Sequence, residues 1–143
     1  MLSQLDLSEN NFSKFPNEVC KLGRLEDLNL NNCNIKALPG EIGPLHSLQT
    51  LRLSGNQLVT LPPEIGELKS LRSLYLDQNW LTTIPPEIGE LTALETLSLY
   101  NNDIKTVPNE FKKLTHLKLL LINGEEQTRI QLKALLPNCQ IPP

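Results

Sequence analysis

Leucine recurs along this chain at a fixed interval of 23 residues, and no insertion interrupts the pattern. When the chain is shifted against itself by that interval, three apolar columns align in the spacing LxxLxL. Self-similarity of this kind is typical of repeat architectures, in which each copy forms one unit and stacks on the next. The first column contains Leu2, Leu25, Leu48, Leu71, Leu94 and Leu117.

The second and third leucines of each copy are separated by one residue, as Leu5 and Leu7 are in the first copy. Residues two apart on a strand lie on the same face, so these leucines are predicted to point inward and the residue between them outward. Successive copies then stack as parallel strands, and their sheet lines one face of the molecule. Residues 1–124 are predicted to form about six such repeats.

Asparagine stands three residues after the third column at Asn10, Asn56, Asn79 and Asn102, and Cys33 replaces it in the second copy. The chain must turn away from the sheet here, and a buried amide can bond the backbone groups that a turn leaves unpaired. We expect the asparagines to do so. Cys33 is interpreted as a small buried core residue and not as a reactive thiol.

Proline follows an inward apolar residue beyond the turn in five copies, and a glutamate stands two residues after each proline. Proline fixes the backbone where a short helical segment begins, and a carboxylate in the first turn offsets free N–H groups. The alternative, a cation site, lacks convergent oxygen ligands from several loops. The glutamates are Glu18, Glu41, Glu64, Glu87 and Glu110.

The complete pattern, LxxLxLxxNxL, is the signature of leucine-rich repeat proteins, and the chain resembles that family over about 125 residues. The copies LPPEIGEL (61–68) and IPPEIGEL (84–91) resemble a short 23-residue class found in bacterial repeat proteins and in eukaryotic Ras-group repeat proteins. The closing LLPNCQI (135–141) resembles the endings of bacterial, Leptospira-type members, and the GVYW motif of the plant Ras-group proteins is missing. The resemblance implies an α/β fold: a right-handed solenoid with a parallel β-sheet on the concave face and short helical or 3₁₀ turns on the convex face.

A stack of repeats needs a cover at each end, because its terminal repeats would otherwise expose leucine to water. Residues 125–143 are predicted to form a C-terminal cap, with a helix whose inward residues are Ile130, Ala134 and Leu136. No comparable segment precedes Leu2. The first repeat is therefore expected either to be covered within a longer protein or to associate with a second copy.

Charge and composition argue against several classes of function. The 143 residues include 13 lysines and arginines against 16 aspartates and glutamates, and the net charge of −3 argues against a nucleic-acid partner. No apolar run is long enough for membrane insertion. The chain opens without the charged and apolar regions of a signal peptide, so either the protein lacks one or this chain has lost it.

The sequence contains no recognisable set of catalytic residues. His46 and His116 lie three repeats apart, too far to share a metal or to form a nucleophile and base pair. Three widely spaced cysteines indicate neither a disulfide framework nor a zinc site, and phosphate-loop, dinucleotide-binding and HExxH motifs are missing. We therefore expect a protein that is not an enzyme and that uses no cofactor or metal.

The outward strand positions differ from repeat to repeat, while the inward columns hardly change. Acidic residues gather in the first two repeats, and the C-terminal end of the same face is apolar. Aromatic residues and arginine dominate many binding surfaces, and an exposed apolar cluster marks a contact region. The predicted protein-binding residues are Arg52, Tyr75, Asp77, Trp80, Tyr100, Leu119 and Leu121. The alternative is that the tyrosines simply suit strands and that Leu119 and Leu121 pack against the capping helix.

Three functions remain open from the sequence. The first is a protein-binding module. The bacterial resemblance implies, more narrowly, a secreted or surface protein that contacts host proteins. Without the bacterial resemblance, the expected location is the cytoplasm. The second is a structural protein that assembles as a homo-oligomer through its first repeat or an open strand edge. The third is a targeting segment of a larger enzyme.

Overall fold

The computed structural model describes all 143 residues, Met1–Pro143. Six short parallel strands form one sheet, in which the strands follow one another in sequence order. This confirms the predicted arrangement of the repeats. The strands are β1 (Gln4–Asp6), β2 (Asp27–Asn29), β3 (Thr50–Arg52), β4 (Ser73–Tyr75), β5 (Thr96–Leu99) and β6 (Leu119–Ile122).

The 23-residue interval is also the register of the sheet. Leu5 pairs with Leu28 and Leu28 pairs with Leu51, and the same column continues to Leu120 in β6. From β2 onward the leucines of this column are completely buried. They belong to one core of 36 buried residues that runs along the stack, so neighbouring copies share a single hydrophobic interior.

Five short 3₁₀ helices form the side of the solenoid opposite the sheet. Each begins after a proline whose φ lies between −78° and −68°, which is the angle that the proline ring imposes. The predicted glutamate stripe lies in their first turns. The helices span Asn17–Lys21, Gly40–Ile42, Pro63–Glu67, Pro86–Glu90 and Asn109–Lys113.

The glycines of the two PEIG copies allow the 3₁₀ helices of neighbouring repeats to pack in direct contact. A Cβ atom on Gly66 would stand 2.6 Å from the carbonyl oxygen of Glu87, and one on Gly89 would stand 2.6 Å from that of Glu110. Both distances are shorter than a Cβ atom tolerates to a carbonyl oxygen. Glycine is therefore required here by the spacing between repeats and not by its backbone angles.

The asparagine column forms a hydrogen-bonded ladder at the end of the strands. Nδ2 of Asn56 donates to the carbonyl oxygens of Leu30 at 2.8 Å and Leu53 at 2.9 Å. Its Oδ1 accepts the backbone N–H groups of Cys33 and Ile35, each at 3.0 Å. The asparagines of the next two repeats make equivalent bonds. The predicted role of the amides is thus confirmed, and each amide also joins its own repeat to the one before.

Cys33 occupies the same place in the ladder and is completely buried, as predicted. Its Sγ lies 3.1 Å from the carbonyl oxygen of Leu7 and so takes the place of the amide donor. The sulfur is a weaker acceptor than an amide oxygen: it takes the backbone N–H of Asn10, while the N–H of Phe12 bonds instead to the carbonyl oxygen of Cys33 at 3.1 Å. The ladder is therefore altered between the first and second repeats.

The residue before each ladder position adopts the left-handed backbone conformation, which the sequence did not reveal. Only one of the five is glycine, so the turn imposes this strained conformation on ordinary side chains in the other four repeats. The φ angles are 60° at Glu9, 57° at Asn32, 70° at Gly55, 54° at Gln78 and 57° at Asn101.

The first repeat is the one place where the leucine columns meet solvent. Leu2 is 47% exposed, and Leu5, Leu7 and Phe12 are half-buried, although their counterparts in later repeats are completely buried. Strand β1 also has a neighbouring strand on one side only. The N-terminal end of the stack is therefore an apolar surface with an open strand edge.

The C-terminal helix α1 spans Glu126–Leu135, within the predicted segment, but it presents a different face to the core. Its buried residues are Thr128 and Leu132, followed by Leu136 at the helix end, whereas Ile130 is 53% exposed and Ala134 is exposed. The prediction for Ile130 and Ala134 was wrong. Thr128 can be buried because its hydroxyl donates to the carbonyl oxygen of Lys105 at 2.9 Å.

The segment after α1 returns to the sheet and pairs with its last strand. Gln140 forms a parallel bridge with Leu119, through bonds of 2.9 Å from the Leu120 N–H and 2.8 Å to the Lys118 carbonyl oxygen. The side chains of Cys139 and Ile141 pack against the core. The outer edge of β6 is therefore covered by backbone pairing in addition to the helix.

Candidate protein-binding site

Three rows of outward side chains cross the sheet, because the register places equivalent positions of successive repeats side by side. We call this surface the sheet face. The first row contains Gln4, Asp27, Thr50, Ser73, Thr96 and Leu119. The second contains Asp6, Asn29, Arg52, Tyr75, Ser98 and Leu121, and the third contains Ser8, Asn31, Ser54, Asp77, Tyr100 and Asn123.

Arg52 lies in the second row and contacts a side chain from each neighbouring repeat. One guanidinium nitrogen lies 2.6 Å from Oδ1 of Asp27, and Cζ lies 5.7 Å from the centroid of the Tyr75 ring. A guanidinium group is attracted to the negative face of an aromatic ring. Because both charged groups are partly exposed, the ion pair orients Arg52 more than it stabilises the fold.

Asp77 is engaged by its neighbours and does not present a free carboxylate. Its Oδ1 accepts the hydroxyl of Ser98 and, at 2.9 Å, the backbone N–H of Tyr100. Its Oδ2 accepts the hydroxyl of Ser54 at 3.3 Å. Asp77 therefore connects three repeats and holds the backbone that carries Tyr100.

Ser98 points outward, yet it is only 2% exposed. Its neighbours in the second row are Tyr75 and Leu121, and Tyr100 lies two residues further along its own chain. A small side chain at an outward position loses contact with water only where larger side chains close around it. Ser98 is therefore covered by its neighbours on the sheet face: Tyr75 and Leu121 flank it, and Asp77 accepts its hydroxyl. We call Tyr75, Tyr100, Leu119 and Leu121 the apolar patch.

Sequence reasoning identified the members of the apolar patch but missed Ser98. A single serine in a strand carries no signal of its own, and only the register reveals that it lies between two large side chains. Within the patch Tyr100 is 47% exposed, while Tyr75, Leu119 and Leu121 are half-buried. Leu119 also lies beside Gln140, so the C-terminal segment borders the patch.

Trp80 lies outside the three rows. It follows the turn at the end of β4, and its backbone N–H bonds to the carbonyl oxygen of Leu58 at 2.9 Å in the loop that leaves the sheet. The equivalent residues of the adjacent repeats are Gln57 and Asp103. With 58% of its surface exposed, Trp80 is the most exposed aromatic residue of the chain, and it stands on the flank of the sheet face.

The N-terminal end of the sheet face carries carboxylates without cationic partners. Asp6, Glu9 and Glu26 take part in none of the six ion pairs of the structure, and we call these three residues the acidic end. Two hydrogen bonds from Ser8 hold the pKa of the Asp6 carboxyl below its usual value, so this group stays ionised. The acidic end is thus an exposed negative surface.

Glu95, a carboxylate of the fifth repeat, is compensated by cations. Glu95 lies at the rim of the sheet face, with Arg72 at 3.4 Å and Lys118 at 2.6 Å. The hydrogen bond from Lys118 lowers the pKa of the Glu95 carboxyl. The charge imbalance of the sheet face is therefore concentrated in its first two repeats.

Metal binding and thiol chemistry both depend on how the side chains concerned are grouped and buried. No three His, Cys, Asp or Glu side chains are grouped so that they could hold a metal ion. Burial raises the pKa of the Cys20, Cys33 and Cys139 thiols, which therefore remain protonated near neutral pH and are weak nucleophiles. None of the helices is both long enough and apolar enough to cross a lipid bilayer.

The six parallel strands, the 3₁₀ helices and the variable sheet face together define a repeat solenoid with one open sheet. A family model described as the leucine-rich repeat region matches residues 1–139, and the chain belongs to the leucine-rich repeat family. This family and fold are typically protein-binding modules without enzymatic activity. No curated protein matches the chain with significant similarity.

Two solved structures show the same fold. A leucine-rich repeat protein of Leptospira interrogans superimposes with a TM-score of 0.94 at 39% identity, and the match covers 97% of this chain and 36% of that one. The ectodomain of the plant membrane receptor kinase GASSHO1/SCHENGEN3 from Arabidopsis thaliana, solved in complex with CASPARIAN STRIP INTEGRITY FACTOR 2, superimposes with a TM-score of 0.75 at 33% identity. That match covers 85% of this chain and 15% of the receptor chain. This chain therefore spans about a third of the bacterial protein and a smaller share of the plant receptor.

Proposed function

We propose that this chain is a non-catalytic protein-binding module whose partner contacts the sheet face. The observation that carries the proposal is the apolar patch: four large side chains stand at outward positions of three adjacent repeats, on a face that the fold itself does not need to be apolar. Contiguous apolar side chains in an outward position are typical of contact surfaces. The proposed contact residues are Arg52, Tyr75, Asp77, Trp80, Tyr100, Leu119 and Leu121.

We assign these residues different roles in the proposed contact. Tyr75 and Tyr100 supply large, partly exposed contact surfaces, and Arg52 is oriented over Tyr75 with one nitrogen on Asp27. Asp77 acts by positioning Tyr100. The solved complex of the plant receptor ectodomain supports the proposal, because a leucine-rich repeat domain of similar fold holds a partner there.

The small size of the sheet face limits the kind of contact it can make. Six strands about 4.8 Å apart, with about five residues in reach on each, give a surface of roughly 24 by 17 Å. Its area of about 400 Å² is half of what each partner buries in a standard interface. Tight binding therefore requires the flank as well, where Trp80 is exposed.

The test is capture of binding partners with the parent chain and with a Tyr75→Ala/Tyr100→Ala variant. The matched control is Ile130→Ala, which removes an equally exposed apolar side chain from α1, away from the sheet face. We expect partners that the parent and the control capture and the tyrosine variant loses. Capture that is equal for all three chains would show that the assigned surface is wrong.

The likeness to the Leptospira interrogans protein supports a narrower form of the proposal, in which this chain is a bacterial secreted or surface protein that contacts host proteins. Antibody labelling of intact cells of the source organism tests the location. Labelling only after the cells are permeabilised would contradict it.

Self-association through the first repeat is the second candidate, and the solvent-exposed Leu2 and half-buried Leu5 favour it. Asp6 and Glu9 lie on the same repeat and would repel their counterparts in an identical copy. Sedimentation velocity over a range of concentrations tests this candidate. Association that Leu2→Lys/Leu5→Lys abolishes would support it, and a monomer at all concentrations would contradict it.

A further inference from the structure

The proposed contact surface has two chemically different ends, and the difference restricts what can lie across it. At the acidic end, Glu26 bonds to no cation, and Arg24, two residues earlier, forms no ion pair either. Glu9 contacts only the amide of Asn32, at 2.7 Å. An exposed negative surface of this kind accelerates association with a basic partner and disfavours an acidic one.

The opposite end carries fewer carboxylates. The only acidic side chain in the rows around the apolar patch is Asp77, whose oxygens accept three hydrogen bonds from neutral groups. A cationic group of a partner placed there would lose water and meet one carboxylate, whereas the acidic end offers three. A large apolar side chain loses nothing by the same placement and buries the exposed ring of Tyr100.

Between the two ends, the polar side chains are already bonded to one another. Asn29 donates to Asp6 at 3.3 Å, and Oδ1 of Asn31 accepts the backbone N–H of Ser54 at 2.8 Å. Arg52 is held by Asp27. The middle of the sheet face therefore offers little that would select a particular side chain.

The narrow shape of the face favours an extended chain over a folded domain. The strands have three or four residues and present three rows, so the surface is long across the strands and short along them. Four strand spacings separate β1 from β5, a distance of about 19 Å. An extended segment rises about 3.3 Å per residue and covers that distance in about six residues.

We infer that the partner lays an extended segment across the strands, with a basic side chain at the acidic end and a large apolar side chain on the apolar patch, about six residues apart. This inference rests on the proposed function and adds the chemistry of the partner. Long-range attraction at the acidic end brings the segment to the face, and burial on the apolar patch slows its dissociation.

The experiment is selection of a random 12-residue peptide display library on the parent chain, followed by titration of synthetic copies of the enriched peptides. Three variants are titrated beside the parent: Glu9→Gln/Glu26→Gln at the acidic end, Tyr75→Ala/Tyr100→Ala at the apolar patch, and Glu64→Gln on a 3₁₀ helix as the matched charge control. Gln at position 9 can still accept the Asn32 bond. The titrations are repeated at high salt.

We expect enriched peptides to carry lysine or arginine about six positions from phenylalanine, tryptophan or leucine. Each sheet-face variant should weaken their binding about tenfold, and Glu64→Gln should leave it unchanged. Salt should weaken binding to the parent and have little effect on binding to Glu9→Gln/Glu26→Gln, because exposed charges are screened.

The outcomes separate this inference from the proposed function. Two outcomes would overturn the inference and leave the proposed function standing. The first is enriched peptides that need the tyrosines but carry no basic residue. The second is peptides that bind Glu9→Gln/Glu26→Gln as tightly as they bind the parent. A selection without any tyrosine-dependent peptide also overturns the inference. The proposed function fails only if proteins captured by the parent chain bind the tyrosine variant equally well.

Discussion

The guanidinium group of Arg52 lies over the ring of Tyr75, with 5.7 Å between Cζ and the ring centroid. The two residues stand 23 positions apart in sequence and become direct neighbours because β3 and β4 pair in register. Each outward contact between repeats on the sheet face arises in this way. The surface is thus assembled from single residues of different copies.

A double-mutant cycle can measure this contact. For Arg52→Met and Tyr75→Leu, we expect a coupling free energy of about 0.5 to 1 kcal/mol, the usual range for a cation over an exposed ring. The measurement is urea unfolding of the parent, the two single variants and the double variant. Arg52→Met with Tyr100→Leu is the control cycle and should be additive; coupling of the same size there would show that the Tyr75 contact is not specific.

The asparagine ladder is expected to contribute strongly to stability. Asn79→Ala leaves the buried N–H of Leu58 without a partner. It also removes one of the two amide donors from each of the Leu53 and Leu76 carbonyl oxygens, so we expect a loss of about 2 kcal/mol in the free energy of unfolding. Asn10→Ala is the control, because Asn10 lies at the exposed end of the stack and bonds only within its own repeat. Equal losses for the two variants would contradict a role of the ladder in joining repeats.

The same ladder can be tested by adding an amide at position 33 in place of the Cys33 thiol. Because the equivalent Asn56 and Asn79 are accommodated in nearly identical surroundings, Cys33→Asn should replace the weak sulfur acceptor by an amide oxygen and raise the free energy of unfolding by about 1 kcal/mol. Cys33→Ala, which offers neither donor nor acceptor, should lower it. A destabilised Cys33→Asn variant would show that the first two repeats cannot adopt the regular ladder.

The 3₁₀ helices should not tolerate a side chain at their contact points. Gly66→Ala would place a Cβ 2.6 Å from the carbonyl oxygen of Glu87, and we expect it to lower the free energy of unfolding by about 2 kcal/mol. Gly23→Ala meets no atom within 4 Å and should be neutral or slightly stabilising. Thermal and urea unfolding of both variants check the difference, which a neutral Gly66→Ala would refute.

The face that α1 presents to the core can be tested directly. Leu132→Ala should cost about 3 kcal/mol, because Leu132 is completely buried against the last repeat. Ile130→Ala on the exposed side of the same helix should change stability by less than about 0.5 kcal/mol. A larger loss of stability for Ile130→Ala than for Leu132→Ala would show that Ile130 faces the core, as the apolar spacing alone predicted.

The misassigned helix face shows where sequence reasoning reached its limit. Apolar residues at helical spacing pointed to Ile130 and Ala134, but burial selects Thr128 because the carbonyl oxygen of Lys105 is available to its hydroxyl. That acceptor belongs to a residue 23 positions away. The pairing of Gln140 with Leu119 also could not be predicted, because nothing in the sequence around either residue indicates it.

The sequence by itself determined the repeat, the register, the inward leucines, the asparagine ladder, the outward strand positions and the place of Trp80 beside them. It could do so because similar copies bury their leucines only when they stack in step, which leaves one arrangement for the backbone. Only the tertiary structure decided that Ser98 is covered, that Asp77 accepts bonds from two neighbouring repeats and that Asp6, Glu9 and Glu26 form no ion pairs. These properties depend on distances between side chains of different repeats, and no single repeat contains that information.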